Sequence, residues 1–543
     1  MTDWNFADVW EQVAYARPDA PALAQGERRY SWSQFDRRAD GVAAALLGAG
    51  LSRQSKVAQY LYNGPEYLES IYASFKAGLV PVNTNYRYTE DELVYLWENA
   101  DVEAVVFHGS FAERADAVRA KLGAVRCWLW VDDGSGGCPS WAQPYESAAG
   151  SAPAGPVRAG WGRSGDDLIL IYTGGTTGMP KGVMWRQDDL FAVLNRTGEL
   201  RYPEEGGLEA VRSVLAAPSK YPPARLLPGP PLMHGTGLFT AMSVLNSAGS
   251  VVLLESRHFD VEALLGTIES ERITEISIVG DAFAKPILSA LDASPGRWDI
   301  SSLWLIISSG VMWSAEVKQG LLRHQPKLLM IDNLGSSEAI GMARSASKEG
   351  AAPSTAGFQL GPDTRVIDED GLDVEPGSGQ QGMVALRGRG PIGYYKDPDK
   401  SAATFRIING ERWTVPGDFA TVEADGSVRL LGRGSVCINT GGEKVFPEEV
   451  EEVLKRHPEV HDAVVVGVPD DRFGEAVAAL IEPSGAAAVL DEQELTDWAR
   501  RSLAGYKVPR HLVVVETIGR APNGKVDYKR LRGVAEQAVA ARP

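Results

Sequence analysis

The chain has 543 residues, of which 44% are hydrophobic and 23% are charged, and its formal net charge is −17. This length exceeds the size at which one hydrophobic core stops growing, so at least two domains are expected. The negative charge argues against a nucleic-acid partner and against binding to an anionic membrane surface. It still allows a local basic site for a phosphate-bearing ligand.

The cysteine content and the N-terminus indicate a reducing compartment. Three cysteines occur, Cys127, Cys138 and Cys437, and their spacing fits neither a disulfide framework nor a zinc site. The first residues lack a basic region followed by an apolar one, and no apolar run approaches the ~18 residues that span a bilayer. A cytoplasmic protein without an integral membrane segment is therefore expected, and any membrane contact is expected to be peripheral.

The first 131 residues predict alternating helices and strands. Apolar residues recur at helical spacing near the N-terminus, and Ser31 is placed to cap the second helix. Short apolar strands then alternate with helices, which predicts a parallel sheet covered on both faces. The predicted helices are 6–12, 32–47, 66–77 and 111–122, and the predicted strands are 57–61, 78–83, 104–107 and 128–131.

Two stretches are predicted to be irregular. Residues 132–164 are rich in Gly, Ser, Ala and Pro, which is typical of an exposed connection. Residues 201–231 are rich in proline and are predicted to form a surface loop.

A stretch rich in Gly and Thr follows the apolar run 168–171. Residues 172–182 contain three threonines, four glycines and one lysine. Glycines let backbone N–H groups approach an anion, hydroxyl groups add donors and lysine adds positive charge, so the stretch suits a polyphosphate. It is not a Walker A loop, because Met179 and Pro180 separate Gly178 from Lys181 and a glycine follows the lysine. An ordinary Gly/Thr loop is the alternative.

The remainder of the chain continues the α/β pattern and then changes character. Gly310 and Gly335 follow two apolar strands, and ligands bind at such strand ends in open α/β sheets. Residues 361–433 predict a small antiparallel β-subdomain, and the last hundred or so residues predict a compact α+β domain. The predicted strands are 251–254, 275–279, 303–307, 329–333, 383–387, 428–431, 462–468, 476–481 and 512–515, and the predicted helices include 260–271, 315–323 and 492–502.

The stretch 172–182 resembles the signature loop of the adenylate-forming enzymes, the superfamily of acyl-CoA synthetases, luciferases and peptide-synthetase adenylation domains. Further motifs match in the superfamily's order, and several ordered matches are hard to reach by chance. The resemblance covers nearly the whole chain. The matching motifs are Pro231 to Leu238 around His234, Leu334 to Gly341 with Glu338, Trp413 to Asp418, Leu431 to Asn439 with Arg433, and Arg520 to Val526 with Lys525.

The resemblance implies catalytic roles for three side chains. Lys525 is implied to reach the nucleotide and the attacking carboxylate. Glu338 is implied to hold Mg²⁺ together with the nucleotide phosphates. His234 is implied to position groups beside the carboxylate-binding site.

The resemblance also implies the contacts with ATP and CoA. Gly310 would let the adenine approach, Asp418 would accept hydrogen bonds from the ribose hydroxyls, and Arg433 would meet the ribose or a phosphate. Gly441 and Gly442 would line the tunnel for the pantetheine arm of CoA. The other implied nucleotide contacts are Thr173, Gly174, Gly175, Thr176, Thr177, Gly178, Lys181, Gly335, Ser336 and Ser337.

The implied fold class is α/β, with a large N-terminal domain of doubly wound sheets and a small β-subdomain, followed by a small mobile α+β domain. The implied boundary divides residues 1–433 from residues 434–543, with a hinge near Ser435, where relatives commonly carry Asp or Lys. Two other positions depart from the pattern. Asn333-Leu334 replaces an aromatic residue before Gly335, and Pro416 replaces a threonine before Gly417.

The implied reaction has two halves on one site. A carboxylate attacks the α-phosphorus of ATP and releases pyrophosphate, and the thiol of CoA then attacks the acyl-adenylate and releases AMP. Within the superfamily, three runs most resemble bacterial ligases for long-chain fatty acids and steroid side-chain carboxylates: Gly182 to Arg186, Gly335 to Glu338 and Gly432 to Val436. Small residues near the implied acid pocket fit a wide hydrophobic acid: Gly235, Gly237, Ala339 and Gly341.

Other functions stay open on the sequence alone. A free-standing adenylation enzyme that loads a carrier protein would share these motifs, and so would a non-catalytic nucleotide-binding homologue. A luciferase relative is compatible with the fold, although nothing in the sequence favours it. A homodimer is also compatible with the sequence.

Overall fold

The computed structural model describes residues 3–541, except 174–178, 197, 199, 219–221, 312, 351–356, 441–442, 471–473, 486–489, 504 and 522–523. At residues 433, 435, 439, 443, 444 and 474 only the backbone is described. Internal contacts divide the chain into two compact units. The large unit comprises Met1–Gly174, Met179–Thr355 and Arg387–Thr414, and the small unit includes Ala356–Leu386 and Val415–Pro543.

The first sheet of the large unit has a parallel centre. Six strands are joined by five parallel pairings, and one antiparallel strand is added at each end of this parallel run. In spatial order the strands are Arg28–Ser31, Pro21–Gln25, Ser250–Leu253, Arg225–Pro228, Glu275–Ile278, Leu305–Ser309, Leu329–Leu334 and Ala343–Ser347.

The second sheet of the large unit has eight strands, six of them parallel. Successive residues of a strand enter cores on opposite faces, as the period of two requires: Val57 packs on one face, and Ala58 packs on the other. In spatial order the strands are Gly393–Tyr394, Lys181–Arg186, Leu168–Thr173, Val80–Asn83, Lys56–Tyr60, Val102–His108, Cys127–Val131 and Gln143–Pro144.

Some helices of the large unit begin at a residue whose side chain caps them. Ser31 and Gln34 form the reciprocal hydrogen bonds of a capping box, so the predicted cap of the second helix is confirmed. The helices are Phe6–Ala16, Trp32–Gly48, Pro65–Ala77, Glu90–Asn99, Ala112–Arg119, Tyr145–Ala149, Gln187–Asn195, Gly207–Ala216, Gly235–Asn246, Val261–Ser270, Asp281–Ala293, Ala315–His324 and Pro398–Thr404, with a 3₁₀ turn at Gly109–Phe111 and a hairpin of Phe405–Ile408 and Glu411–Thr414.

The small unit contains two antiparallel sheets of its own. One consists of Gly357–Leu360, Val428–Arg433, Asp418–Val422, Gln381–Arg387 and Thr364–Ile367. The other consists of Glu443–Val445, Ile438–Thr440, Gly474–Pro483 and Val460–Asp470, with His511–Val514 added parallel to Gly474–Pro483. Its helices are Pro447–Lys455, Glu492–Arg500 and Tyr528–Ala540, with 3₁₀ turns at Gly434–Val436 and Gly505–Lys507.

The last sheet of the small unit is covered on both faces. Val465 and Ala479 pack on one side with Leu454 and Leu495, which belong to two of the helices. Their strand neighbours pack on the other side with Leu531, from the C-terminal helix. The predicted α/β class, with a large N-terminal part and a smaller C-terminal α+β part, is confirmed. The mobility of the small part and the predicted boundary at 433/434 stay predictions.

Both predictions of irregular structure are wrong in part. The stretch 132–164 contains the strand Gln143–Pro144 and the helix Tyr145–Ala149, and the stretch 201–231 contains the helix Gly207–Ala216 and the strand Arg225–Pro228. The helix Gly207–Ala216 buries Val211 and Leu215, at helical spacing. The prolines of this stretch lie outside that helix, so they were compatible with it.

The sequence did not reveal three further elements: the hairpin Pro21–Gln25 and Arg28–Ser31, the helix Glu90–Asn99, and the C-terminal helix Tyr528–Ala540. Among the described residues, every helix is too short or too polar to cross a bilayer.

One buried histidine makes the stability of the large unit depend on pH. His108 ends the strand Val102–His108, and its Nδ1 accepts a hydrogen bond from the N–H of Tyr62 at 3.1 Å. Burial lowers its pKa to about 4, with Asp133 opposing the shift and Arg257 and Arg28 adding to it. The unfolded chain binds this proton below pH ~6.5, so the free energy of unfolding falls as pH drops from there towards the folded pKa.

We expect His108→Asn to flatten this pH dependence, because the amide oxygen can accept from Tyr62 N–H without titrating. The difference in unfolding free energy between the unaltered protein and the variant should change by about 3 kcal/mol between pH 7 and pH 4, as measured by urea unfolding. His258→Asn, at an exposed histidine, is the control. Parallel stability curves for the unaltered protein and His108→Asn would contradict the assignment.

Candidate active site

Most of the predicted phosphate loop lies outside the described residues, namely Gly174, Gly175, Thr176, Thr177 and Gly178. The two ends of the loop are described. Thr173 ends the strand Leu168–Thr173, Lys181 begins the strand Lys181–Arg186, and the two residues pair directly in antiparallel register. The loop therefore joins two neighbouring strands, and Thr173 and Lys181 lie side by side at its base.

Lys181 has an acidic partner from a distant part of the chain. Its ammonium group forms an ion pair with the carboxylate of Asp397. Asp397 also caps the helix Pro398–Thr404, accepting from Lys400 N–H at 3.0 Å. The Lys181 partner and this backbone bond hold the pKa of Asp397 below its usual range. The pair is partly exposed, with 40% of the Lys181 side chain accessible, so an anionic ligand can compete for the lysine.

Asn83 connects the base of the phosphate loop to the histidine motif. Its side-chain oxygen accepts from Tyr172 N–H at 2.6 Å, and its amide donates to the carbonyls of Tyr172 at 2.9 Å and Met233 at 2.7 Å. Asn83 is buried, so these bonds are protected from water. Asn83 thereby holds Tyr172, which precedes Thr173, and Met233, which precedes His234.

His234 is the N-cap residue of the helix Gly235–Asn246. Its N–H donates to the carbonyl of Pro231 at 3.0 Å, and its carbonyl accepts from Leu238 N–H at 3.0 Å, so the backbone around it is fixed. The side chain is half-buried. A Cβ at Gly237 would lie 2.7 Å from the carbonyl oxygen of Pro231. Gly237 is thus required for close backbone packing, which accounts for this small residue, and a wide acid pocket stays a prediction.

Glu338 lies on a tight turn after the strand Leu329–Leu334. Ser336 and Ala339 exchange backbone hydrogen bonds of 2.9 and 3.2 Å, and a Cβ at Gly335 would lie 3.0 Å from the carbonyl oxygen of Ala339. Ser336 Oγ also accepts from Glu338 N–H at 3.3 Å. Gly341 closes the segment with φ +74°, a conformation that favours glycine, so backbone geometry also accounts for this small residue.

The Glu338 turn lies beside both the histidine motif and the strand that follows the phosphate loop. A Cβ at Gly235 would lie 3.6 Å from Ser337 Oγ. The indole N–H of Trp185, on the strand that begins with Lys181, donates to the carbonyl of Ser337 at 2.8 Å. The structure therefore brings together the described parts of three predicted motifs.

Gly310 follows the parallel strand Leu305–Ser309, which pairs with Leu329–Leu334 so that Ser309 faces Asn333. Its φ of +96° requires a left-handed conformation. Gly310 and Gly335 thus leave the carboxyl ends of adjacent parallel strands, where open α/β sheets bind ligands.

In the small unit, the two predicted ribose-side residues are direct neighbours. Asp418 begins the strand Asp418–Val422 and pairs in register with Arg433, the last residue of Val428–Arg433. The Asp418 side chain is buried. The side chains of Arg433 and of the predicted hinge Ser435 lie outside the described part, as do Gly441 and Gly442 entirely.

Lys525 is exposed, and hydrogen bonds from Ala521 and Arg520 hold the backbone around it. The N–H of Ala521 donates to the carbonyl of Lys525 at 2.8 Å, and Arg520 donates to the carbonyl of Gly524 at 3.0 Å. Arg520 also makes two hydrogen bonds of 2.5 and 2.9 Å to Asp462, a residue of the strand Val460–Asp470, and this pairing holds the pKa of Asp462 below its usual range despite burial. The backbone of Gly524 and Lys525 is therefore tied to the sheet of the small unit.

The donor set at Glu338 suits a metal shared with a nucleotide. Glu338 is half-buried, its Oε1 accepts from the hydroxyl of Tyr394 at 2.7 Å, and among the described residues its Oε2 has no hydrogen-bond partner. No group of three or more His, Cys, Asp or Glu side chains that could hold a metal occurs in the described part of the chain. Mg²⁺ commonly binds through one or two carboxylates together with phosphate oxygens and water.

Four residues of this arrangement were not found from the sequence: Asn83, Tyr394, Asp397 and Arg520. Arg520 stood inside a motif, next to the turn of Lys525, and could have been found there. The others act on residues far away in the chain, and nothing in their local sequence points to those partners.

Comparison with known proteins identifies the class of enzyme to which this fold belongs. The family described as AMP-binding enzyme matches residues 10–395, and the AMP-binding enzyme C-terminal domain matches residues 449–525. The chain belongs to the AMP-binding enzyme family. It is an ATP-dependent, AMP-forming ligase.

Two relatives match almost end to end. A medium/long-chain-fatty-acid–CoA/3-oxocholest-4-en-26-oate–CoA ligase of Mycolicibacterium smegmatis is 39% identical over 541 residues, covering 99% of this chain and 97% of the relative. A 3-oxocholest-4-en-26-oate–CoA ligase of Rhodococcus rhodochrous is 39% identical over 534 residues, covering 97% and 95%.

Solved structures share the fold. The ATP-bound MatB of Rhodopseudomonas palustris has a TM-score of 0.80 at 25% identity and covers 98% of this chain and all of its own. The anthranilate CoA ligase AuaEII in complex with anthranoyl-AMP has a TM-score of 0.84 at 22% identity, with 99% of each chain covered.

Proposed function

We propose that the protein is an acyl-CoA ligase for a hydrophobic carboxylic acid, either a long-chain fatty acid or a steroid side-chain acid. The observation that carries the proposal is the 39% identity, over nearly the full length of both chains, to ligases named for such acids. ATP and the acid would form an acyl-adenylate and pyrophosphate, and CoA would then take the acyl group and release AMP.

In the first half-reaction the carboxylate and the triphosphate are both anions, so catalysis depends mainly on neutralising charge and aligning the reactants. We assign Lys525 to the attacking carboxylate and the α-phosphate. Lys181, together with Thr173 and the loop between them, would hold the β- and γ-phosphates. His234 would position groups beside the acid.

Glu338 would hold Mg²⁺ through its Oε2, which has no hydrogen-bond partner among the described residues. When bound, the ion would supply positive charge to the phosphate oxygens. Gly335, Ser336 and Ser337 would contact the nucleotide from the same turn, and Gly310 would admit the adenine at the neighbouring strand end.

On the small unit, Asp418 would accept hydrogen bonds from the ribose, and Arg433 would meet the ribose or a phosphate. Their direct pairing across two strands supports one shared ligand. Gly441 and Gly442 are proposed to line the path of CoA after a rotation near Ser435. Cytoplasmic location, peripheral membrane contact and a homodimer stay predictions.

The test is a panel of carboxylic acids assayed by pyrophosphate release with ATP and Mg²⁺, followed by thioester formation with free CoA. We expect long-chain fatty acids or steroid side-chain acids to support the highest kcat/KM. Activity with short polar acids alone would contradict the acid assignment. Adenylation without transfer to CoA would favour a carrier-protein acceptor, and absence of pyrophosphate release with every acid would favour a non-catalytic homologue.

A further inference from the structure

The hydroxyl of Tyr394 fixes the carboxylate to which the proposed function assigns the metal. Tyr394 Oη donates to Glu338 Oε1 at 2.7 Å, although the two residues are 56 positions apart. That distance is normal for a hydroxyl bonded to a carboxylate. The bond occupies one oxygen of Glu338 and leaves Oε2 available for a ligand.

Tyr394 itself is held from several sides. It pairs with Val183 on the strand that begins at Lys181, its N–H donates to Ser401 Oγ at 2.8 Å, and its ring packs at 5.6 Å from that of Phe405. Only 6% of its surface is exposed. The position of the hydroxyl is therefore set by the sheet that carries the base of the phosphate loop.

The turn fixes the backbone of Glu338 but does not by itself fix its side chain. The hydrogen bonds of Ser336 and the bond from Trp185 to the carbonyl of Ser337 hold the turn, but they do not direct the carboxylate. A glutamate has three rotatable side-chain bonds, and a half-buried one samples several rotamers unless a partner selects one. Among the described residues, the hydroxyl of Tyr394 donates the side-chain hydrogen bond that does so.

We propose that Tyr394 is a positioning residue of the nucleotide site, which orients Glu338 and leaves its Oε2 available to hold the metal. This inference rests on the proposed role of Glu338. Groups that orient a metal-binding carboxylate commonly change metal affinity when they are removed. Tyr394 belongs to the short strand Gly393–Tyr394, which pairs with the strand that begins at Lys181. This short strand therefore links the carboxylate of Glu338 to the strand that carries Lys181.

The test compares Tyr394→Phe with a matched control in the adjacent residue. Tyr395 also donates its hydroxyl to a carboxylate, that of Asp101 at 2.8 Å, so Tyr395→Phe removes the same atom from the same segment. Mn²⁺ serves as the probe, and its binding to the full-length protein with ATP and without acid is measured by electron paramagnetic resonance. We expect Tyr394→Phe to weaken Mn²⁺ binding about tenfold, and Tyr395→Phe to leave it unchanged.

A double variant separates positioning from general damage. If Tyr394 acts through Glu338, Tyr394→Phe should have no further effect on Mn²⁺ binding once Glu338→Gln is present. Equal Mn²⁺ affinity in the unaltered protein and Tyr394→Phe, or additive losses in the double variant, would overturn the inference. A protein that binds Mn²⁺ and ATP as expected but releases no pyrophosphate with any acid would contradict the proposed function and leave the role of Tyr394 standing.

Discussion

Replacing Lys525 by alanine should abolish the formation of acyl-adenylate from acid and ATP, yet leave thioester formation from preformed adenylate largely intact. The reason is electrostatic: the first step brings two anions together, whereas the second starts from an adenylate whose pyrophosphate has already left. Loss of a group that stabilises developing charge typically costs about 10² to 10³ in rate. Pyrophosphate release measures the first step, and CoA ester formed from synthetic adenylate measures the second.

The matched control is Lys529→Ala, which removes another exposed lysine four positions along the chain. It should leave both half-reactions unchanged, because that residue lies on the helix Tyr528–Ala540 and not on the motif turn. An equal loss of both half-reactions in Lys525→Ala would contradict the division of labour.

Replacing Asn83 by alanine should both destabilise the large unit and weaken ATP use. The change leaves three buried backbone groups without their hydrogen bonds to Asn83, namely the N–H and carbonyl of Tyr172 and the carbonyl of Met233. Unsatisfied buried groups of this kind cost about 1 to 3 kcal/mol each, and partial relaxation makes about 3 kcal/mol in total a reasonable expectation. Urea unfolding measures this loss.

The functional effect follows from where those groups lie. Tyr172 precedes Thr173 at the base of the phosphate loop, so a displaced strand end should raise the KM for ATP about tenfold. Asn85→Ala is the control, since Asn85 accepts one local bond from Arg87 N–H in the following turn. Asn83→Asp keeps the acceptor for Tyr172 but loses both donated bonds, and it should resemble the alanine variant. Unchanged stability and KM in both Asn83 variants would show that the connection is dispensable.

Much of the fold could be predicted because local signals are strong where elements are long. The helix after Ser31 has a capping box, and the strands near Val57 and Val105 consist mostly of apolar residues. The helix Gly207–Ala216 was missed because prolines before and after it dominated the composition of the region. Composition averaged over thirty residues conceals a ten-residue helix.

The charged groups of the site could be predicted from motifs, but their partners could not. Lys181 and Asp397 are 216 positions apart, and Asn83 and Met233 are 150 apart. The contacts of Tyr394 and Asp397 depend on a two-residue strand, Gly393–Tyr394, which joins the second sheet beside Lys181–Arg186. Two residues carry no periodicity, so only the folded sheet reveals which motifs this segment joins.

The anchored turn of Lys525 has an entropic consequence. Ordering a flexible backbone costs about 1 to 2 kcal/mol per residue, and a lysine on a loose loop would meet that cost each time it engaged a ligand. Here the Arg520–Asp462 pair and the bond to Gly524 order the turn when the domain folds. The backbone of Lys525 is then already ordered before the side chain reaches a ligand, so the strand Val460–Asp470 contributes to the affinity of a site it need not touch.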